Sequence, residues 1–255
     1  MKTVVIIPSR YASVRLPAKP LALIRGRTLI ARVYQRARLA EGIDEIYVAT
    51  DHPGIAAEVE GFGGKVLMTS PDCPSGTDRV AQAAEQLALE DGIIINVQGD
   101  EPLIEPSVIS ALATAMKNDD SIRVATPIAR LLKVEELTNP SIVKVILNTK
   151  RDALYFSRQW IPYARDVDEM NLHGWLDTHP CYKHIGVYAY RSEALKQFVA
   201  LGESPLERAE KLEQLRLLEA GIPIRCVEVE YESVAVDTPE DILRVEQMID
   251  ERGLT

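Results

Sequence analysis

Three cations, Arg10, Arg15 and Lys19, stand in the stretch PSRYASVRLPAKP (8–20), enclosed by prolines. Guanidinium and ammonium groups gathered in one loop can hold a polyanion, above all phosphate, through charge-assisted hydrogen bonds. A solvated basic connection is the competing reading. Two aspartates, Asp100 in VQGDEP and Asp237 in VDTPED, are candidates to complete such a site. Either one alone reads as a turn or helix-capping residue. Opposite three cations, the pair suits Mg²⁺, which takes one or two carboxylates from a protein and fills its octahedron with water and phosphate oxygens. A magnesium-bound nucleoside triphosphate fits that combination.

The charge distribution favours the anion-site reading. The chain has 255 residues and a net charge of −9, which argues against nucleic acid or an anionic membrane as partner. Its first 40 residues carry nine Lys and Arg and no Asp or Glu, so +9 there leaves −18 for the rest. A positive patch on an acidic protein points to a small, highly charged anion. Cys73, Cys181 and Cys226 are widely spaced and form no C-x-x-C pair, so neither a disulfide framework nor zinc is indicated, and they read as buried small residues. With no signal-like apolar region and no run near the ~18 residues of a membrane span, the expectation is a cytoplasmic protein without membrane insertion.

These residues need elements to position them. Thr3–Ile7 is a run rich in β-branched residues that reads as a buried strand, which puts the basic loop at the carboxyl edge where open α/β sheets bind ligands. Leu29, Ile30, Val33, Tyr34 and Ala37 recur at helical spacing, with Arg32, Arg36 and Arg38 off that face and Gly42 as a stop. A second strand over 45–50 ends at Asp51, and a short helix follows from Pro53. Strand, helix, strand implies a right-handed βαβ unit and a parallel sheet. A third strand over 65–68 opens into TSPDCPSGTDR before a helix expected over Val80–Leu89. There Ser75, Gly76 and Thr77 would let backbone amides approach a ligand, with a plain turn as the alternative. Gly92–Gln98 is the most apolar strand and belongs at the sheet centre.

From about residue 122 the pattern changes to strand-like pieces at 124–128, 142–147 and 185–190, implying mixed pairing or a subregion laid over the sheet. Residues 166–179 read as a polar, mobile segment. Ser204-Pro205-Leu206-Glu207 is a capping box that starts a helix running to Glu219. A strand over 224–229 follows, then a strand end at 234–237 with Thr238 as N-cap and Pro239 at the first position of a final helix. Neither G-x-x-x-x-G-K-[ST] nor a G-x-G-x-x-G after the first strand is present, which disfavours P-loop hydrolysis and hydride transfer.

Read together, PSRYASVRLPAKP, ATD (49–51), SGTDR (75–79), VQGDEP (97–102), ALYFSR (153–158), KHIGVYAY (183–190), EKLEQLR (210–216) and VDTPED (236–241) resemble the 3-deoxy-manno-octulosonate (Kdo) cytidylyltransferase family across nearly the whole chain. The resemblance implies an α/β, GT-A-like nucleotide-diphospho-sugar transferase fold. This would be one domain over 1–255, a mostly parallel central sheet with a smaller mixed α+β elaboration over about 122–222. It also implies a homodimer, Mg²⁺, CTP and Kdo as substrates, and CMP-Kdo and pyrophosphate as products for lipopolysaccharide assembly.

Carried residue by residue, Arg10 and Lys19 would hold the triphosphate and stabilise charge at the α-phosphate, with Arg15 on the leaving pyrophosphate. Asp100 and Asp237 would ligate the metal, and Arg10, Lys19, Asp100 and Asp237 form the catalytic set. Ser13, Thr50, Asp51, Ser75, Gly76, Thr77, Arg79 and Gln98 would line the nucleotide. Gln98, Arg158, Arg165, His184, Tyr188, Glu213 and Gln214 would surround the sugar acid. The chemistry suits those types, because in-line substitution at phosphorus is catalysed by positioning and charge stabilisation and needs no protein nucleophile. For His184 a satisfied structural histidine is the alternative, and EKLEQLR also reads as an ordinary amphipathic surface. Alternative functions are transfer to 8-amino-Kdo or a sialic-acid-like sugar, or a glycosyltransferase on the same fold. The last would typically carry a D-x-D motif at a strand end, where this sequence has none.

Overall fold

The computed structural model describes residues 1–12, 15–168, 171–232 and 234–254. Its first half alternates strand and helix. β1 (Lys2–Ser9) is followed by a 3₁₀ turn at Lys19–Leu21 and a small hairpin, β2 (Leu23–Ile24) and β3 (Arg27–Thr28). Then come α1 (Leu29–Ala37), β4 (Glu45–Thr50), α2 (Pro53–Gly61), β5 (Lys65–Met68), α3 (Gly76–Gln86), β6 (Gly92–Asn96) and α4 (Pro106–Asn118). The second half comprises β7 (Val124–Arg130), α5 (Val134–Thr138), β8 (Lys144–Leu147), β9 (Ala153–Ser157), α6 (Leu172–Thr178), β10 (Tyr182–His184), β11 (Tyr188–Arg191), α7 (Ser192–Leu201), α8 (Pro205–Glu210), α9 (Leu215–Glu219), β12 (Arg225–Glu228) and α10 (Pro239–Arg252).

One ten-stranded sheet runs β5-β4-β1-β6-β11-β7-β10-β8-β9, with β12 beside β7. The first four are parallel. Ser9 pairs with Thr50 and Ile6 with Asn96, so the carboxyl ends of β1, β4 and β6 reach one rim. From β1 the chain builds outward to β4 and β5, then returns to place β6 on the other side, making β1/β6 the switch point where such sheets open a crevice. β11 lies antiparallel to both β6 and β7, so the strands after residue 122 extend the same sheet by mixed pairing and do not form a layer over it.

The apolar patterns account for the packing. Val5, Ile7, Ile95 and Val97 face a core with Leu29, Ile30, Val33 and the buried side of α4, whereas Val4, Ile6 and Ile94 face a second core with Val80, Ala83, Phe156 and Phe198. At about 25 cal/mol per Å² of buried apolar surface, this two-sided burial is the main stabilising term. Cys181 and Cys226 are buried as expected, with desolvation pushing their thiols up to about 11 and about 12; Cys73 is half-buried. No helix among the described residues is long and apolar enough to cross a membrane.

Several local expectations need correction. Arg32 does not lie off the apolar face of α1. It is buried, with Nε donating to the Ile24 carbonyl at 2.9 Å, so it ties α1 to the hairpin. The helix expected from Val80 begins at Gly76, because the Ser75 hydroxyl accepts the Asp78 N–H at 3.1 Å and caps it four residues earlier. The polar segment 166–179 contains α6, seated by buried Leu172 and Leu176. The helix from Ser204 starts as its capping box predicts but breaks at Lys211, which adopts φ 53°, and resumes as α9. Residues 234–237 are extended without being a strand; Val236 N–H donates to the Asp100 carbonyl at 2.9 Å, and Thr238 with Asp241 forms the capping box of α10. Pro106, at the first position of α4, opens a helix that no motif marks.

Candidate active site

At the rim between β1 and β6 lies a cavity of about 590 Å³ lined by Ser9, Arg10, Arg15, Lys19, Cys73, Ser75, Gly76, Arg79, Gln98, Gly99, Asp100 and Asp237, with flanking prolines. It thus gathers residues from four separate stretches: 8–20, 73–79, 98–100 and Asp237. Gly99 makes the gathering feasible. A Cβ there would sit 2.8 Å from the Pro8 carbonyl, so only glycine lets the loop after β6 press against the end of β1.

Charge complementarity organises the cavity. Lys19 Nζ donates to Asp100 Oδ2 at 2.8 Å and to Asp237 Oδ1 at 3.0 Å, and Arg15 Nη2 lies 3.0 Å from Asp237 Oδ2. Two carboxylates from chain positions 137 residues apart therefore converge on one ammonium. Asp100 is carried there by the turn after β6, and Asp237 by the extended segment whose Val236 N–H is bonded to the Asp100 carbonyl. The Arg10 guanidinium, exposed, makes no hydrogen bond or ion pair with the described residues. Its neighbour Tyr11 stacks on His52 with ring centroids 3.8 Å apart at 12°, and His52 Nδ1 accepts the Gly54 N–H to cap α2. That stack anchors the start of the basic loop. Ser13 lies outside the described residues.

The converging carboxylates fit Mg²⁺. They are hard oxygen donors that meet at one point, beside cations able to orient a polyphosphate carrying the remaining oxygens. No larger acidic or histidine cluster suited to a metal occurs among the described residues.

The other nucleotide candidates lie around the cavity in different ways. Ser75 and Gly76 open α3, pointing the first turn's amides toward the rim, where negative charge is favoured. Arg79 is buried, with Nη1 3.2 Å from Asp51 Oδ1, so this pair braces α3 against the end of β4. Thr50 is fully buried and Asp51 is committed to Arg79, so neither lines the cavity wall. Thr77 donates to Glu213 Oε1 at 2.7 Å and receives Asn96 Nδ2 at 3.3 Å, linking α3 to the segment between α8 and α9.

The sugar candidates are spread over the antiparallel side. His184 Nε2 is 2.9 Å from Thr126 Oγ1, and its ring lies 5.3 Å from Tyr188 and 5.1 Å from Phe156. Burial pushes its imidazole down to about 3, so it is neutral at physiological pH. Desolvation likewise raises Glu213, opposed by the Thr77 hydrogen bond, and raises buried Tyr188 well above the ordinary phenol range. Gln214 is buried and its Nε2 has no partner among the described residues. Arg158 is spent on backbone: Nε donates to Glu210 O at 2.8 Å and Nη1 to Pro140 O at 3.2 Å. The Arg165 side chain is exposed, and its ion partner among the described residues is neighbouring Asp166 at 3.5 Å. Of this set only Gln98 lines the cavity itself.

Asn96 and Thr126 belong to this architecture without a motif to mark them, whereas Gly99 lies inside VQGDEP. Asn96 is the one legible signal, a polar residue closing the otherwise apolar GIIIN strand.

A family model described as Cytidylyltransferase matches residues 4–229. The chain is 48% identical over 253 residues to the 3-deoxy-manno-octulosonate cytidylyltransferase of Myxococcus xanthus, covering 99% of this chain and 98% of that one. It is 46% identical over 251 residues to the 8-amino-3,8-dideoxy-manno-octulosonate cytidylyltransferase of Shewanella baltica, covering 98% and 99%. A solved structure of CMP:2-keto-3-deoxy-manno-octonic acid synthetase complexed with CTP superposes with a TM-score of 0.89 at 43% identity, covering 99% of this chain and all of that one. Matched over most of its length by the family model and nearly end to end by these relatives, the chain is a member of the cytidylyltransferase family and a nucleotidyltransferase.

Proposed function

We propose that this enzyme transfers CMP from CTP to the anomeric hydroxyl of Kdo, releasing pyrophosphate, in the supply of activated sugar for lipopolysaccharide. The observation that carries the reading is the cavity at the β1/β6 switch point, where Arg10, Arg15 and Lys19 face Asp100 and Asp237. A triphosphate enters with its charge toward the basic loop. Arg10, with no hydrogen bond or ion pair among the described residues, contacts phosphate oxygens and stabilises the charge that grows as the α-phosphate is attacked. Arg15 and Lys19 neutralise the leaving pyrophosphate. Asp100 and Asp237 would hold Mg²⁺, which when bound would supply Lewis-acid polarisation of phosphate oxygens. The sugar oxygen forms the new P–O bond while the bond to the β-phosphate bridge breaks. No protein nucleophile takes part, so the chain's own work is alignment.

Gln98, at the boundary of the two halves, contacts both substrates in this reading. His184, Tyr188, Glu213, Gln214, Arg158 and Arg165 form the acceptor side, and the buried Nε2 of Gln214, which has no partner among the described residues, is the group there that most lacks a polar ligand. The assembly is a homodimer, for which Leu132, Leu154 and Tyr163, exposed on the antiparallel side, are apolar surface to cover; sedimentation at a monomer's mass would contradict it. A cytoplasmic setting agrees with three free cysteines.

The test is pyrophosphate release from CTP and Mg²⁺ with Kdo, 8-amino-Kdo and a sialic acid in parallel. Kdo should turn over fastest. Equal or faster turnover with 8-amino-Kdo would establish the second reading, which the Shewanella relative at 46% identity supports. Absence of CTP binding would remove both.

A further inference from the structure

The two aspartates that suit a metal each have an oxygen bonded to the same ammonium. Lys19 Nζ lies 2.8 Å from Asp100 and 3.0 Å from Asp237, and its side chain is only 16% exposed. Arg15 takes the second oxygen of Asp237 at 3.0 Å. A divalent ion arriving alone meets a site already neutralised, with a positive charge standing at the point it must occupy. Coulomb repulsion between the ammonium and a divalent ion at that point opposes joint occupancy. The same cavity holds Arg10, whose guanidinium pairs with no carboxylate among the described residues. It can receive phosphate without giving anything up.

We propose that Lys19 is an internal counter-ion that closes the metal site in the nucleotide-free enzyme and surrenders it when triphosphate enters. Lys19 and the metal ion are then alternative occupants of Asp100 and Asp237. The flexible four-carbon stem lets the ammonium move from carboxylates to phosphate while its backbone stays fixed by the 3₁₀ turn, where Lys19 N–H donates to the Leu16 carbonyl at 3.1 Å. Metal binding is thereby coupled to nucleotide binding, and the coupling is reciprocal: each must tighten the other by the same factor. In the resting enzyme the arrangement keeps the carboxylates from holding a divalent ion with no substrate to activate. The inference rests on the reading of Asp100 and Asp237 as metal ligands.

Binding of Mn²⁺, followed by loss of the hexa-aquo electron paramagnetic resonance signal, reads this without turnover. Lys19→Met should bind Mn²⁺ at least tenfold more tightly than the parent enzyme in the absence of nucleotide, and Lys19→Gln should behave the same way if both fold as judged by circular dichroism and Tm. Arg10→Met, which removes an equal charge from the same cavity but no carboxylate contact, should change the affinity less than threefold. CTP should tighten Mn²⁺ binding to the parent by tenfold or more, beyond what CTP chelates in free solution, and by much less in Lys19→Met. Equal affinities for Lys19→Met and either the parent or Arg10→Met, with Asp100→Asn still weakening binding, would overturn the exchange and leave the metal site standing. Mn²⁺ binding indifferent to Asp100→Asn, with and without CTP, would overturn both.

Discussion

The parallel and antiparallel halves of the sheet both carry candidate residues, but they hold them differently. On the parallel side, Arg10, Arg15, Lys19, Asp100 and Asp237 stand in the loops after β1 and β6 and just before α10, and line one open cavity. Among the described residues their side-chain partners are one another, or none. On the antiparallel side, Arg158 is bonded to backbone carbonyls, His184 to Thr126 and Glu213 to Thr77, while Tyr188 and Gln214 are buried. The first group is assembled for a charged ligand and can exchange its ion pairs for it. The second belongs to the packing of the protein, so acceptor recognition there must work through groups that also hold the fold. Substitutions on the two sides should therefore separate: loss of turnover with intact stability on one, and loss of both on the other.

The sharpest test of the parallel side is Asp100→Asn. The amide preserves volume but removes the negative charge that meets Lys19 and would meet Mg²⁺, so kcat should fall by about 10³-fold with Tm within a few degrees of the parent. Retained metal-dependent turnover would take Asp100 out of the site. Arg10→Met comes next. Its side chain has no partner among the described residues to lose, so it should lower kcat by about 10²-fold, the scale for one charge-stabilising donor, with unfolding free energy unchanged.

Arg158→Met probes the other side and should do the reverse. Losing the guanidinium strands the Glu210 and Pro140 carbonyls it caps, at a cost of about 2 kcal/mol. Denaturant unfolding should show the drop before any kinetic assay does. A large kinetic defect with parent-like stability would place Arg158 with the open, exchangeable group.

The same contrast governs what can be read from a sequence. Strand-end residues on the parallel side are legible because a β-branched run followed by Pro, Gly or Asp marks the rim, and parallel connectivity brings rims together. Thus PSRYASVRLPAKP, VQGDEP and VDTPED could be placed opposite one another from pattern alone. Capping chemistry was legible at Ser204 and Thr238. At Ser75 the same signal, S-x-x-D, lay inside a stretch so rich in turn residues that the helix start was obscured. The break at Lys211 could not be read, since a non-glycine residue at φ 53° is imposed by the packing of Leu212 and Leu215 and not by local preference. Nor could the surroundings of His184, which depend on antiparallel register: β10 sets it beside Ile128 of β7, where Thr126 reaches its ring. Arg32 misled for a related reason. Its partners are carbonyls of the β2–β3 hairpin, two-residue strands too short to announce themselves.

A smaller effect should separate the halves by pH. His184 is neutral in the folded protein because burial pushes its imidazole down to about 3, whereas in the unfolded chain it titrates near 6.5. Between those values the unfolded state binds the extra proton, so acid favours unfolding by about 1 kcal/mol per pH unit from this group. His184→Gln should be less stable than the parent at pH 7.5, where Thr126 loses a shaped partner, but should lose stability less steeply from pH 6 to pH 4. Parallel curves would mean that the histidine takes up its proton without unfolding, and so is not held by packing.

Arg165 is the exception on the antiparallel side and gives the smallest expected change in stability. Its side chain is 88% exposed and its ion partner among the described residues, Asp166, is equally open, so the pair contributes nothing measurable to the fold. Arg165→Ala should shift unfolding by less than about 0.5 kcal/mol. If the acceptor side is made only of packed residues, its kinetics should be those of the parent too. If instead this arginine meets the sugar carboxylate, KM for Kdo should rise with little change in KM for CTP, because a planar guanidinium can grip a carboxylate through two hydrogen bonds. Arg165→Lys would then recover charge but not the paired geometry, leaving most of the KM defect in place. That outcome would give the acceptor half one exchangeable cation of its own, and the division between the halves would become one of degree.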